Sequence, residues 1–267
     1  MKKYWAIGLL TLLICLGPYV TVGAANTIER QDLGKYFAGY QGTFVLYDEN
    51  KDQYSVYNEK QSAVRLSPCS TFKIYNSLIG LETGVLDQED VYTLYKWNGT
   101  QHTFPYWNRD HTLASATADS VVWYFQELAS RIGQQRMQSS LDAIGYGNRD
   151  ISGGLTTFWL GSSLQISARE QVDLLHKLYA GKLTISPQNV AIVKRNITLS
   201  QDEGVRLMGK TGSRLQNDKW TLGWFVGCVE KDGNRYFFAT NIQAADGAIG
   251  GKAREISRSI LKDIGIL

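Results

Sequence analysis

Ser70 and Lys73 stand three residues apart in "PCSTFKIYN", Pro68 to Asn76. On a helix that spacing puts both side chains on one face, about 5–6 Å apart at Cβ. A serine hydroxyl attacks a carbonyl only when a neighbouring base removes its proton. An ordinary lysine, with a pKa of about 10.4, is charged at neutral pH and is no base unless it is desolvated. The flanking Phe72 and Ile74 are compatible with burial. The spacing alone does not decide the matter, because Ser259 and Lys262 repeat it on an ordinary terminal helix. Far downstream, Lys210, Thr211 and Gly212 form the single K-T-G of the chain, within a strand-like pattern. A lysine, a hydroxyl and a close-approach glycine on a strand edge can line one wall of a cleft. Such a wall suits an anionic substrate group, and backbone N–H groups beside it can hold an acyl oxyanion.

The elements that must position these residues are legible in outline. "GTFVLYDENKDQYSVYN" reads as two short strands around a polar turn. The stretch beginning at Ser70 is helical and stops at Gly84, and further helical patterns end at Gly133, Gly145 and Gly181. Beyond about residue 205 the pattern is strand-like, with Asp232-Gly233 marking a hairpin, and "AREISRSILKDIG" is helical again. The expected fold is therefore α/β of the α+β kind. An antiparallel sheet is built from both chain termini, with flanking helices and a helical region inserted at about residues 85–200.

The 267 residues are 43% hydrophobic and 20% charged, a globular composition. Lys2 and Lys3 supply two units of the net charge of +3, which leaves no case for a nucleic-acid partner. Those lysines, the apolar run Trp5 to Leu16 and the small residues Val22 to Ala24 read as a signal peptide over residues 1–24, against the alternative of a retained anchor. Residues 25–267 would then be a single domain working outside the cytoplasm, secreted or in the cell envelope. Cys69 and Cys228 remain after processing, neither in a C-x-x-C pair. His102, His111 and His176 have no metal-ligand spacing, so no metal is expected.

"STFK", "SVVWYFQ", "YGN", "FWLGSSLQIS" and "KTGS", in that order, resemble the class D β-lactamases, the serine enzymes also called oxacillinases. The likeness runs from about Gly42 to the C-terminus. It implies the penicillin-recognising serine enzyme fold and a single β-lactamase/transpeptidase-like domain. It also implies hydrolysis of the β-lactam ring of penicillins through an acyl-enzyme on Ser70. In the family the buried lysine reacts with carbon dioxide, so Lys73 is the implied N-carboxylated general base. Trp159 is its implied donor, and Phe72, Val122 and Leu160 its implied apolar walls. Ser120 matches the proton-relaying serine, and Lys210, Thr211 and Gly212 the substrate-facing strand. The backbone N–H groups of Ser70 and Ser213 match the oxyanion hole.

Four features carry weight. Val122 stands where class A enzymes and most cell-wall transpeptidases have asparagine, and the class A deacylating glutamate has no counterpart before K-T-G. Ser213 replaces the aromatic residue of many relatives. Ala253 stands where the family carries a carboxylate-binding arginine, so Arg254 is the substitute chosen for that role over Lys252. The family fold brings the "WFVG" strand beside the Ser70 helix, so Cys69 and Cys228 form either one disulfide or two buried thiols. The rival functions are a penicillin-binding sensor, which stalls after acylation, and a cell-wall transpeptidase or carboxypeptidase. Neither would require a metal or an organic cofactor; carbon dioxide is the only small molecule the lysine needs besides the β-lactam.

Overall fold

The computed structural model describes residues 26–87 and 94–267, so the signal-peptide reading over residues 1–24 lies outside the described residues. Within them, seven strands form one sheet: β1 (Asn26–Glu29), β2 (Gln41–Asp48), β3 (Gln53–Tyr57), β4 (Thr198–Asp202), β5 (Val205–Gln216), β6 (Lys219–Lys231) and β7 (Asn234–Gln243). Their order is β1-β3-β2-β7-β6-β5-β4. Every pairing is antiparallel except β1 with β3. The pairing of β2 with β7, with Val45 opposite Ala239, is the seam that joins the two ends of the chain.

Turn chemistry sets the register of the C-terminal half. Asp232 and Gly233 both take positive φ, 50° and 74°, and Lys231 pairs with Asn234 across them. That is the two-residue turn whose twist matches the twist of a hairpin. Asn217-Asp218 and Glu203-Gly204 make the same kind of turn, with φ of 50° and 57°, and of 44° and 81°. The second of these joins β5 to β4, an edge strand exposed from Leu199 to Asp202, whose weak apolar pattern hides it in the sequence.

Among the described residues, eight α-helices complete the fold: α1 (Glu59–Ser62), α2 (Lys73–Glu82), α3 (Leu113–Ala118), α4 (Val122–Ile132), α5 (Gln134–Ile144), α6 (Ala168–Tyr179), α7 (Pro187–Asn196) and α8 (Gly250–Asp263). Their ends follow local rules. Thr112 with Ser115, and Ser167 with Glu170, form reciprocal capping boxes at α3 and α6. Pro187 opens α7, and Gly145 closes α5 in the left-handed conformation, φ 72°.

Two cores lie on the two faces of the sheet. One contains α2, α4 and α6, and the other α8 with Leu33 and Phe37 of the first 3-10 turn. The middle of β6, from Leu222 to Val229, is buried on both faces, so it reads as a continuous apolar run rather than an alternating one. Helix α2 is similarly enclosed: every residue from Lys73 to Leu81 is buried. A helix covered all round is normally apolar all round, so a lysine at its first position has no route to solvent along its own stem.

Candidate active site

The chain enters α2 through a tight 3-10 turn, Cys69–Phe72. Cys69 takes φ 49°, a left-handed conformation that costs a side-chain-bearing residue energy and persists only where its surroundings enforce it. Ser67 does much of the enforcing. Its hydroxyl donates to the Trp159 carbonyl and accepts from the Gly161 N–H, both at 2.9 Å. Its carbonyl accepts from the Trp224 indole N–H at 2.9 Å. One buried serine thus ties the nucleophile turn to the 159–161 loop and to β6.

The turn leaves the Ser70 hydroxyl partly open to solvent and puts the Lys73 amine 2.7 Å from it. Lys73 is fully buried. Burial pushes its pKa well below the ordinary lysine value, and the nearby charge of Lys210 pushes the same way. Burial therefore favours the neutral amine, the form that can accept the serine proton or react with carbon dioxide. Around it lie Phe125, whose ring centroid is 5.4 Å from Nζ, and Phe72, which packs 5.7 Å from the Trp159 ring.

Trp159 has no exposed surface, and its Nε1–H has no acceptor among the described residues. Buried donors are nearly always paired, so an orphan indole N–H in the same aromatic shell as a neutral lysine fits an added anionic group on that lysine.

Opposite α2, Ser120 occupies the bend between α3 and α4 with φ 54°. The Lys210 amine donates to the Ser120 hydroxyl at 2.9 Å and to the Thr211 carbonyl at 3.2 Å. Burial, then repulsion from Arg254, lowers the Lys210 pKa to about 7. Gly212 is required by close approach: a Cβ there would stand 2.8 Å from the Pro68 carbonyl oxygen and 3.2 Å from the Ser70 nitrogen. Strand β5 therefore lies directly against the nucleophile turn, where its N–H groups and that of Ser70 can converge. The Ser213 hydroxyl points elsewhere and accepts from the Gly250 N–H at 2.8 Å, capping α8 from outside the helix.

A cleft of about 350 Å³ opens over Ser70. Ser120, Val122, Leu160, Thr211, Gly212 and Ser213 line it, which brings together most of the residues read from the sequence. Phe72, Lys73 and Trp159 lie beneath it in the core. Arg254 is not in the cleft lining; it borders a separate small cavity with Lys210 and Thr211. Lys252 is paired with Glu255 at 2.6 Å, and Ala253 is buried.

Sequence reasoning missed several residues. Ser67, a small polar residue with no pattern around it, left no signal. Phe125 was findable, because it lies one helical turn beyond Val122 on the face of α4 that meets α2. The cleft rim of Phe104, Tyr106, Trp107, Arg214 and Trp220 comes from two segments that meet only in the fold.

Of the two cysteine alternatives, the second holds. Cys69 and Cys228 are not bonded; both are buried free thiols. The Cys69 thiol faces the Ser67 hydroxyl at 3.8 Å, and burial pushes its pKa up to about 11. The contact between the nucleophile turn and β6 is made at Trp224, and Cys228 lies four residues, roughly 13 Å, further along that strand. A disulfide needs Cα atoms within about 7 Å.

Residues 42–264 match the penicillin-binding protein transpeptidase domain family. The chain is 39% identical to the probable β-lactamase YbxI of Bacillus subtilis over 100% of this chain and 99% of that protein. The solved class D β-lactamase BAT-2 superposes with a TM-score of 0.83 at 42% identity, covering 88% of this chain and 96% of that one. This chain belongs to the class D β-lactamases. The C-terminal domain of the Bacillus licheniformis BlaR penicillin receptor is also similar, with a TM-score of 0.87 at 38% identity over 91% of this chain and 98% of that one. The class D likeness agrees with a mixed fold whose sheet is mostly antiparallel and draws strands from both ends of the chain.

Proposed function

We propose that this chain is a serine β-lactamase that opens penicillins through an ester on Ser70. The observation that carries the proposal is the 2.7 Å contact between the Ser70 hydroxyl and a fully buried Lys73 amine. A neutral base at that distance can take the hydroxyl proton as Oγ bonds to the lactam carbonyl carbon. The Ser70 and Ser213 N–H groups face the developing oxyanion. The C–N bond of the ring then breaks, and the Ser120 hydroxyl, held by Lys210, passes a proton to the leaving nitrogen. Lys210 and Thr211 face the substrate carboxylate. Arg254, one cavity away, adds positive potential there rather than a contact within the cleft.

Hydrolysis of the ester needs an activated water, and class D chains lack the class A glutamate. Carboxylation of the Lys73 amine would supply an oxygen base at this place. Trp159 Nε1–H is the donor that would hold it, and Phe72, Val122 and Leu160 are the side chains that would keep it dry. The proposal includes export, with residues 1–24 removed as a signal peptide and residues 25–267 acting outside the cytoplasm. Mass spectrometry of protein recovered from medium or envelope would reveal the new N-terminus.

The likeness to the penicillin receptor keeps a sensor reading in play, and one experiment separates the two. Purified protein is mixed with excess penicillin, and ring opening is followed with the intact mass. The expected result is many turnovers per molecule and a transient penicilloyl adduct that Ser70→Ala abolishes. A single stoichiometric burst with a lasting adduct would instead make the chain a sensor. An adduct on the Ser70→Ala variant would remove Ser70 as nucleophile.

A further inference from the structure

Among the described residues, the lining of the cleft over Ser70 holds a single cation, Arg214, and a single acid, Asp119. The acid is already paired, with Arg109 at 2.9 Å. Arg214 makes no ion pair among the described residues. Its Nε–H donates to the Thr221 hydroxyl at 3.1 Å, which leaves most of the guanidinium fork without a protein acceptor. The stem is held as well. Gly161 takes φ 77°, and a Cβ there would stand 3.0 Å from Arg214 Cδ and 3.3 Å from Cγ. A half-buried guanidinium, braced by the 159–161 loop and by Thr221, thus offers donors to the cleft.

Its place along β5 decides what it meets. Side chains alternate along a strand, so Lys210, Gly212 and Arg214 share one face. Their contacts agree: Lys210 reaches Ser120, Gly212 abuts the Ser70 nitrogen, and Arg214 reaches Gly161. The pairing with β6 stays regular up to Arg214, opposite Leu222, and shifts only beyond it. In the proposed acylation, on which this inference rests, the lactam carbonyl lies at Ser70 and Ser213 and the ring carboxylate at Lys210 and Thr211. That carboxylate hangs on the nitrogen side of the lactam carbonyl, and the acylamino group on the carbon side. The acylamino group therefore runs the other way along β5, toward Arg214. It is a peptide unit, about 3.8 Å long, and a carboxylate on the carbon beyond it adds one bond more. Gly212 and Arg214 are two strand residues apart, about 7 Å, so the reaches match. We infer that Arg214 is a specificity-determining residue that favours β-lactams with a second carboxylate, carried on the acyl side chain just beyond the amide. Leu215 and Tyr106, both exposed on the same rim, give the apolar remainder of that side chain a wall.

The test compares benzylpenicillin with its α-carboxy derivative, which differ at one side-chain carbon. Acylation of Ser70 in the purified protein is timed by intact mass, so the readout holds for an enzyme and for a sensor alike. The ratio of the two second-order rate constants is taken on one preparation, so the folded fraction cancels. Arg214→Gln should lower the carboxy-to-benzyl ratio roughly tenfold, the worth of one hydrogen bond to a charged group. The benzylpenicillin constant should stay near wild type. Arg214→Lys, which keeps the charge without the fork, should fall between the two. Added salt should lower the ratio in the wild type and leave it unmoved in Arg214→Gln. An unchanged ratio in Arg214→Gln would overturn the inference. Equal losses for both compounds would overturn it too, and would return Arg214 to the ring carboxylate or to bracing Gly161. No Ser70 adduct with either compound would defeat the proposed acylation itself, and the inference with it.

Discussion

Trp159 and Lys210 both owe their chemistry to burial. Replacing Trp159 with alanine would open a cavity in a packed aromatic core and confound any reading. Trp159→Phe keeps a ring and removes the N–H. Losing one hydrogen bond to a charged group costs about 1.5–3 kcal/mol. The carboxylated fraction of Lys73 should therefore fall by roughly one to two orders of magnitude. Deacylation should suffer most, because the lactam is strained and the ester is not. The variant should label with penicillin, accumulate as acyl-enzyme and recover with added bicarbonate. Wild-type turnover without accumulated adduct would return Trp159 to a packing role. Lys210 makes a separate prediction about stability. Its folded pKa is about 7, against about 10.4 in an unfolded chain. Between those values the unfolded chain binds a proton that the native state does not, so stability rises with pH across that window. Below pH 7 both states are charged and the burial penalty is felt in full. The total is on the order of 5 kcal/mol at most. Urea midpoints at pH 7, 8 and 9 should climb in the wild type and climb less in Lys210→Met. Parallel slopes would mean that Lys210 is charged in the native protein.

At the scale of elements, three pieces of backbone meet at Gly212: the nucleophile turn, β5 and the start of α8. A Cβ at Gly212 would press on the Pro68 carbonyl and the Ser70 nitrogen, and neither can swing away as a side-chain tip can. On the other side, a Cβ at Gly250 would stand 2.7 Å from the Gly212 carbonyl oxygen. The Ser213 hydroxyl locks this stack by accepting the first N–H of α8, whose own N-cap, Ile249, offers no side-chain acceptor. Gly212→Ala should lower the acylation rate more than tenfold by parting the strand from the turn. Ser213→Ala should lose about 1 kcal/mol of stability, the usual value of a helix cap, while Ser213→Thr keeps the hydroxyl and should stay near wild type. Stopped-flow acylation and thermal melts on the three variants give the ranking. Equal rates for Gly212→Ala and Ser213→Thr would show that the close approach at Gly212 does not matter.

Among the described residues the molecule is one sheet with a core on each face, sewn at the β2–β7 pairing. That arrangement predicts cooperative unfolding, because neither core exists without the shared strands. Leu128 on α4 and Ile260 on α8 are both fully buried, in opposite cores. Truncating either to alanine should cost about 2–5 kcal/mol. Both variants should shift one common transition, read by tryptophan fluorescence and by far-ultraviolet circular dichroism together. Two resolved transitions, one sensitive to each substitution, would instead divide the protein into independent lobes.

Local features of this protein are legible in its chain. Ser70 and Lys73 share a helix face because spacing is a local matter, and their contact at 2.7 Å follows from it. The hairpin at Asp232-Gly233 and the helix stops at Gly145 and Gly181 are likewise local, since backbone conformation is written in the residues that adopt it. The resemblance to class D enzymes adds the distant partners Ser120, Trp159 and Lys210. What the chain alone could not settle are the relations between segments far apart in sequence. Whether Cys69 reaches Cys228 depended on which residue of β6 meets the nucleophile turn, and that is Trp224. Whether Arg254 enters the Ser70 cleft depended on how α8 lies behind β5. The orphaned Trp159 N–H, the buried state of Lys210 and the second cavity beside it are also tertiary facts. Desolvation and cavity walls arise only when strands and helices distant in the chain close around the same volume.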